Sequence, residues 1–193
     1  LKVVPSVSGV EEMANLDEDG RRRLVDMFAE IEEQTDILLL DTAPGISDNV
    51  VRFVTAADSA VVITTPEATS MTDAYALIKV ASSRRSGMDL GLMVNMARSR
   101  AEGDHAMTRI REVARDFLGE DVRNLGILPY DESVGYAAAE RRSFVEMSKN
   151  SPASVSLGRV VAELIEGRNP TEATGPGAYA ARLLASATQQ EVA

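Results

Sequence analysis

Cysteine is absent from the 193 residues. That excludes a disulfide framework and any thiolate metal site, and it fits a reducing cytosol. The single histidine, His105, stands among polar residues with no carboxylate pair nearby, so it reads as a solvated side chain rather than a metal ligand. Positive charge is in short supply: 20 Lys and Arg against 30 Asp and Glu leave a net charge of −10. A general nucleic-acid binder needs clustered bases on phosphates, so nucleic acid is not an expected partner. No apolar run approaches the roughly 20 residues that cross a bilayer, and no basic stretch leads into an apolar one at the start. A soluble, cytoplasmic protein is expected. No Gly-x-Ser-x-Gly elbow occurs, which leaves Ser133 without the setting of a nucleophile. There is no repeat of fixed period, and the eight methionines are scattered as core filler. The chain opens on Leu1 rather than Met, directly on an apolar stretch, which leads to the expectation that further sequence precedes it.

What is present is organised around residues 36–45, Asp-Ile-Leu-Leu-Leu-Asp-Thr-Ala-Pro-Gly. Four apolar residues bounded by Pro44 and Gly45 are too few for a helix, so Ile37–Leu40 are expected to form a strand buried on both faces. Asp41 would stand at its carboxyl end. Further strands are expected at 1–4, 59–65, 90–94 (ending at Asn95) and 125–128 (ending at Pro129). Helices are expected between them: 21–34 through Leu24, Phe28 and Ile31; one capped by Ser47 with Val50, Val51 and Val54 inside; and one opened by the capping box Ser70-Met-Thr-Asp73. Others should run from about Asp104 to Gly119, from Asp131 through Ala138, and from about Ser154 to Ile165. Ser8-Gly-Val-Glu11 is a further capping box. Strands alternating with helices imply βαβ units, hence an α/β fold with a mostly parallel sheet covered on both faces. Residues 1–168 are expected to form one domain. From 169 onward the Pro and Gly content reads as a flexible linker, followed by a short helix bearing Tyr179, Leu183, Leu184 and Ala187 on one face. That helix is either a frayed tail or an anchor to a membrane or partner.

In a parallel sheet the polar strand ends, Asp41–Gly45, Thr64–Glu67, Asn95 and Pro129–Asp131, should meet along one edge, where open α/β sheets bind ligands. Asp41 offers a hard oxygen for a metal ion or its waters, unless it merely starts a turn. Gly45, lacking a Cβ, lets backbone amides approach a phosphate. Asn95 can donate and accept at once, as a purine edge requires.

The segment Ile37–Ser47 resembles the Walker B and switch II region of the MinD/ParA family of deviant P-loop ATPases. Thr64–Lys79, Val94-Asn-Met96 and Leu128–Val134 are similar, more narrowly, to that family's flagellar-number regulators, the FlhG group, and Val4–Ala14 fits the same branch. The resemblance implies a P-loop NTPase fold and an ATP-dependent, dimerising switch with Mg²⁺. Asp41 would hold a water of the Mg²⁺ shell, the backbone at Pro44 and Gly45 would sense the γ-phosphate, Asn95 would recognise adenine, and Pro129, Tyr130 and Asp131 would flank the base. Glu67 would either approach the dimer face or support the next helix through its charge. Met96 stands where many relatives have Arg. The expected partners are a second copy in the ATP-bound state, flagellar assembly proteins, and peripherally the inner face of the cell membrane. The family's phosphate loop and switch I aspartate would lie upstream of Leu1. No Gly-x-x-x-x-Gly-Lys-Ser/Thr pattern occurs, so residues 1–193 alone are not expected to hydrolyse ATP. The alternatives are a nucleotide-independent interaction module of the same fold, or a ParA-like partitioning ATPase.

Overall fold

The computed structural model describes residues 18–166 and 175–188, which fall into two compact units. The expected strand at 1–4 and the capping box at Ser8 lie outside the described residues, as does most of the linker.

The second unit, within 59–169, is built on a three-stranded parallel sheet in the order β1 (Ser59–Thr64), β2 (Asp89–Ala97), β3 (Arg123–Pro129). Its right-handed βαβ logic is carried by α3 (Ala68–Arg84) and α4 (Arg100–Leu118), and β3 leads into α5 (Glu132–Ala139), the single turn α6 (Phe144–Met147) and α7 (Pro152–Glu166). Successive residues of a strand face opposite sides, and β3 shows both layers. Ile127 turns toward Gly103 of α4, whereas Gly126 opens toward Val160 of α7. On the α7 side Met93, Leu125, Leu128 and Val160 form a core with Leu157 and Leu164 packed on it. On the other side the helices bury Ala74, Ile78, Ala106, Met107 and Ile110. The sheet flanked by helices on both faces is thus as expected.

Strand boundaries run wider than the apolar runs. β2 continues through Asn95 to Ala97 rather than stopping at Asn95, and β3 includes Pro129 as its last residue. The helix expected from about Asp104 starts four residues earlier, because Ser99 accepts from the Glu102 N–H at 3.2 Å and Glu102 accepts from the Arg98 N–H at 2.7 Å.

The first unit holds α1 (Glu18–Glu33), α2 (Asp48–Ala56) and α8 (Pro176–Thr188). Phe28, Ala56, Tyr179, Ala180 and Leu183 form its core, with the Phe28 and Tyr179 rings 5.2 Å apart. Arg182 fastens α8 by donating to the Ala56 carbonyl at 2.6 Å and to Asp58 at 2.5 Å, and the Gly175 N–H donates to the same carboxylate at 3.1 Å. The helix at 176–188 therefore packs its apolar face within this unit.

Here the strand expected at 37–40 is corrected. Residues 37–43 form no regular element and pair with no strand among the described residues, and Leu39 is 83% exposed. Only Leu38 packs on the Phe28–Tyr179 core. An apolar run supplies side chains for a buried strand but not the hydrogen-bonding neighbour that makes one. Among the described residues, no helix is long and apolar enough to cross a membrane.

Candidate functional site

Because β1, β2 and β3 are parallel, their carboxyl ends open on one edge of the sheet. One of the two register irregularities between β2 and β3 is there, the other lying between Leu92 and Met93. Val94 pairs with Ile127, but the next partners are Ala97 and Pro129, so β2 carries one residue more than β3 across the same interval. Such a bulge re-aims side chains. Met96 absorbs it with φ at 59°, a left-handed conformation that costs a residue with a Cβ about 1 kcal/mol. Beyond the bulge the Tyr130 N–H donates to the Ala97 carbonyl at 2.9 Å, which fastens the end of β3 to the end of β2.

Asn95 sits in this bulge, half-buried, and its Oδ1 accepts from the Met96 N–H at 2.9 Å. Only the oxygen can accept from an N–H, so the amide's orientation is fixed: Nδ2 is presented as a donor, with a second lone pair on Oδ1. Met96, the next residue, is 50% exposed, and Tyr130, whose N–H is bonded to Ala97, is 56% exposed. A polar amide on an edge that also carries two uncovered apolar side chains suits a flat heteroaromatic ring, which stacks on apolar surface and hydrogen-bonds to an amide.

Asp131, the next residue, caps α5. One carboxylate oxygen accepts from the Ser133 N–H at 3.0 Å, and the other from the Ala153 N–H of α7 at 3.1 Å. The Ser133 side chain, then the amides of Ala153 and Ser133, hold its pKa down from 3.8 to about 2. The two amide contacts, at 3.0 and 3.1 Å, define the geometry of the carboxylate.

At β1 the capping box expected at Ser70 is displaced. α3 starts at Ala68 with Glu67 as its N-cap, and the Glu67 side chain makes no capping bond. Ser70 is engaged elsewhere: its hydroxyl lies 3.0 Å from that of Thr64 and accepts from the Thr65 N–H at 2.9 Å, tying the tip of β1 to the first turn of α3. Glu67 is left exposed at the positive end of the helix dipole.

Asp41, Pro44 and Gly45 belong to the first unit, where all three are exposed. Gly45 has φ at 102°, a conformation that glycine alone adopts without strain, and no atom lies within 4 Å of where a Cβ would be. Two residues on, Ser47 starts α2, its hydroxyl accepting from the Val50 N–H at 3.4 Å. Among the described residues no group of three or more acidic or histidine side chains could hold a metal ion, so Asp41 belongs to no such group. His105 is exposed, in keeping with a solvated side chain.

The sequence reading placed residues 41–45, 64–67, Asn95 and 129–131 on one edge; the second unit carries the last three at the carboxyl ends of its parallel strands, whereas 41–45 belong to the first unit. It missed three features of this unit. The bulge at Met96 leaves no trace in residue type. The Ser99-x-x-Glu102 box was legible and signals the true start of α4. The Asp89–Arg123 pair joins residues 34 apart, beyond any local pattern.

The family model of ParA, described as NUBPL iron-transfer P-loop NTPase, matches residues 22–165. The chain belongs to the ParA family of P-loop NTPases. Among curated members, the antiactivator FleN of Pseudomonas aeruginosa is 35% identical over 166 residues, 86% of this chain and 59% of FleN. The flagellum site-determining protein YlxH of Helicobacter pylori is 28% identical over 169 residues, 86% of this chain and 56% of YlxH. This ParA-family chain thus spans less than two thirds of the length of either. The MinD cell division protein of Aquifex aeolicus superposes with a TM-score of 0.59 at 21% identity, over 81% of this chain and 70% of MinD. MinD from Pyrococcus furiosus gives the same score at 18% identity, over 79% of this chain and 63% of MinD. These likenesses establish the MinD fold for the ParA-family sheet described above.

Proposed function

We propose that the complete protein is an ATP-dependent switch of the MinD/ParA type that regulates flagellar number or placement. The observation that carries the nucleotide part is the bulged end of β2, where Asn95 shares the sheet edge with the exposed residues Met96 and Tyr130. Adenine presents a donor and an acceptor side by side on one edge, which the Asn95 amide matches. Pro129 and Tyr130 border the base, and Asp131 follows them in the chain. The flagellar part is supported by the likeness to YlxH, a flagellum site-determining protein.

In this reading the 41–45 segment serves the phosphate end. Asp41 would hold a water of the Mg²⁺ shell, and the Pro44–Gly45 backbone would respond to the γ-phosphate. Asp41 belongs to no group of three or more possible metal ligands among the described residues, so it would serve an ion brought in with the nucleotide rather than a bare one. Such an ion would supply neutralisation of phosphate charge. Two copies associate in the ATP-bound state and engage flagellar assembly proteins, with peripheral contact to the membrane. Residues 1–193 carry no phosphate-loop lysine pattern, so turnover belongs to the complete protein.

The test is calorimetric titration of the complete protein with MgATP, comparing Asn95→Ala and Asp41→Ala with the parent. Weakened binding in both supports the assignment. Unchanged affinity in both overturns it and favours an interaction module that needs no nucleotide.

A further inference from the structure

The carboxylate of Asp131 is used twice, and its two uses point in different directions along the chain. Oδ1 caps α5 locally through the Ser133 N–H. Oδ2 reaches 22 residues ahead to the Ala153 N–H, in the first turn of α7. A carboxylate between two helix amino termini satisfies a free amide of each and meets the positive end of both dipoles. α7 is itself immobilised on the sheet through Val160, with Leu157 and Leu164 on the same core. Asp131 is thus tied to a part of the fold that does not depend on the loop it closes.

Its neighbour Tyr130 is held from the other side, by the N–H donated to Ala97 at the bulge of β2. The Tyr130 backbone therefore lies between two anchors, one on β2 and one on α7. We propose that Asp131 is a positioning residue of the base site: by bridging the amino termini of α5 and α7 it fixes the backbone that carries Tyr130, and it does not itself touch the base. This rests on the reading of Asn95 and Tyr130 as an adenine site. Only a carboxylate can supply both acceptors here, since Asn and Ser each have a single side-chain oxygen.

That difference makes Asp131→Asn an informative variant. Asn caps a helix about as well as Asp, so α5 keeps its start and the protein stays folded, while the bridge to Ala153 is lost. The complete protein would be titrated with MgATP and, as a probe with no base, with inorganic tripolyphosphate. Parent, Asp131→Asn, Tyr130→Ala, the corresponding double variant and Asn95→Ala would be compared.

The expected result for Asp131→Asn is an ATP dissociation constant raised about tenfold, the scale of one charge-assisted hydrogen bond, with tripolyphosphate affinity unmoved. In the Tyr130→Ala background the same change should weaken ATP no further, because what Asp131 holds in place is already gone. Full additivity in the double variant would mean that Asp131 contacts the base directly, which overturns the proposal. So would an equal loss toward tripolyphosphate, which marks a general structural defect. If Asn95→Ala weakens ATP while Asp131→Asn does not, the positioning role falls and the adenine site stands. If neither changes ATP affinity, the site reading falls and takes the proposal with it.

Discussion

Asp89 and Arg123 face each other across the amino ends of β2 and β3, joined through two guanidinium nitrogens at 2.6 and 2.9 Å. Both side chains are about three-quarters buried. The pair pins the edge of the sheet opposite the one that carries Asn95 and Tyr130, so the strands are locked where nothing needs to bind. The Arg123 Nη1 atom is buried without a partner among the described residues, which makes the guanidinium depend on Asp89.

Removing that partner should therefore cost more than the pair is worth. Asp89→Ala is expected to lower unfolding free energy by about 3 kcal/mol, because it strands a largely buried cation. Joint replacement of Asp89 and Arg123 by leucine should cost clearly less. Urea denaturation of the three variants checks this, and a single variant no worse than the double would refute the account. Nucleotide affinity should stay at the parent value.

The low pKa of Asp131 has a consequence for acid stability. The folded-state value, about 2, lies below the ordinary 3.8, so folding favours the ionised form. Its contribution is fully present above pH 3.8 and is lost as pH falls through about 2. Denaturation midpoints of the parent and Asp131→Asn should differ by a constant amount above pH 5, and the gap should close between pH 4 and pH 2. A gap that persists unchanged at pH 2 would show that the ionised carboxylate is not what stabilises the two helix starts.

Gly103 illustrates how closely α4 lies on the sheet. A Cβ at this position would come within 2.5 Å of Ile127 Cγ2 and 3.2 Å of Ala97 Cβ. Alanine favours a helix interior by up to about 1 kcal/mol, but the clash with a β-branched side chain outweighs that. Gly103→Ala is expected to destabilise by about 1 to 2 kcal/mol in chemical denaturation. Since Ala97 receives the Tyr130 N–H, a measurable weakening of ATP binding should accompany it.

Tyr179 packs its ring on Phe28 while its hydroxyl is buried with no partner among the described residues. Burial pushes the phenol's pKa up, against the opposing charge of Arg182. Tyr179→Phe removes a desolvated hydroxyl and keeps the ring, so stability should rise by about 1 kcal/mol. Tyr179→Ala removes the ring too and should cost about 3 to 5 kcal/mol. Thermal unfolding that ranks Phe below the parent would mean that the hydroxyl has a partner.

The alternation of β-branched runs with amphipathic stretches was enough to locate β1 to β3 and the helices between them, because period and length are local properties of the chain. The polar residues at the strand ends were legible for the same reason: parallel topology sends Asn95 and Tyr130 to one edge whatever the details. Ile37–Leu40 misled, since composition reports what a segment could bury and not whether a neighbour pairs with it. Ser70 misled because its hydroxyl had a better partner in Thr64 than in its own helix. The bulge at Met96 and the reach of Asp131 to Ala153 depend on register and on contacts far apart in sequence, which no local pattern encodes.

At position 96 the main chain does the structural work. The left-handed turn and the Ala97–Tyr130 link are made by backbone atoms, and the methionine side chain is half in solvent. Exchanging that side chain therefore alters what this edge presents to solvent while leaving the scaffold intact. At the proposed base site, affinity would then be tunable by one codon, whether by natural drift or by an engineer, without a compensating change elsewhere.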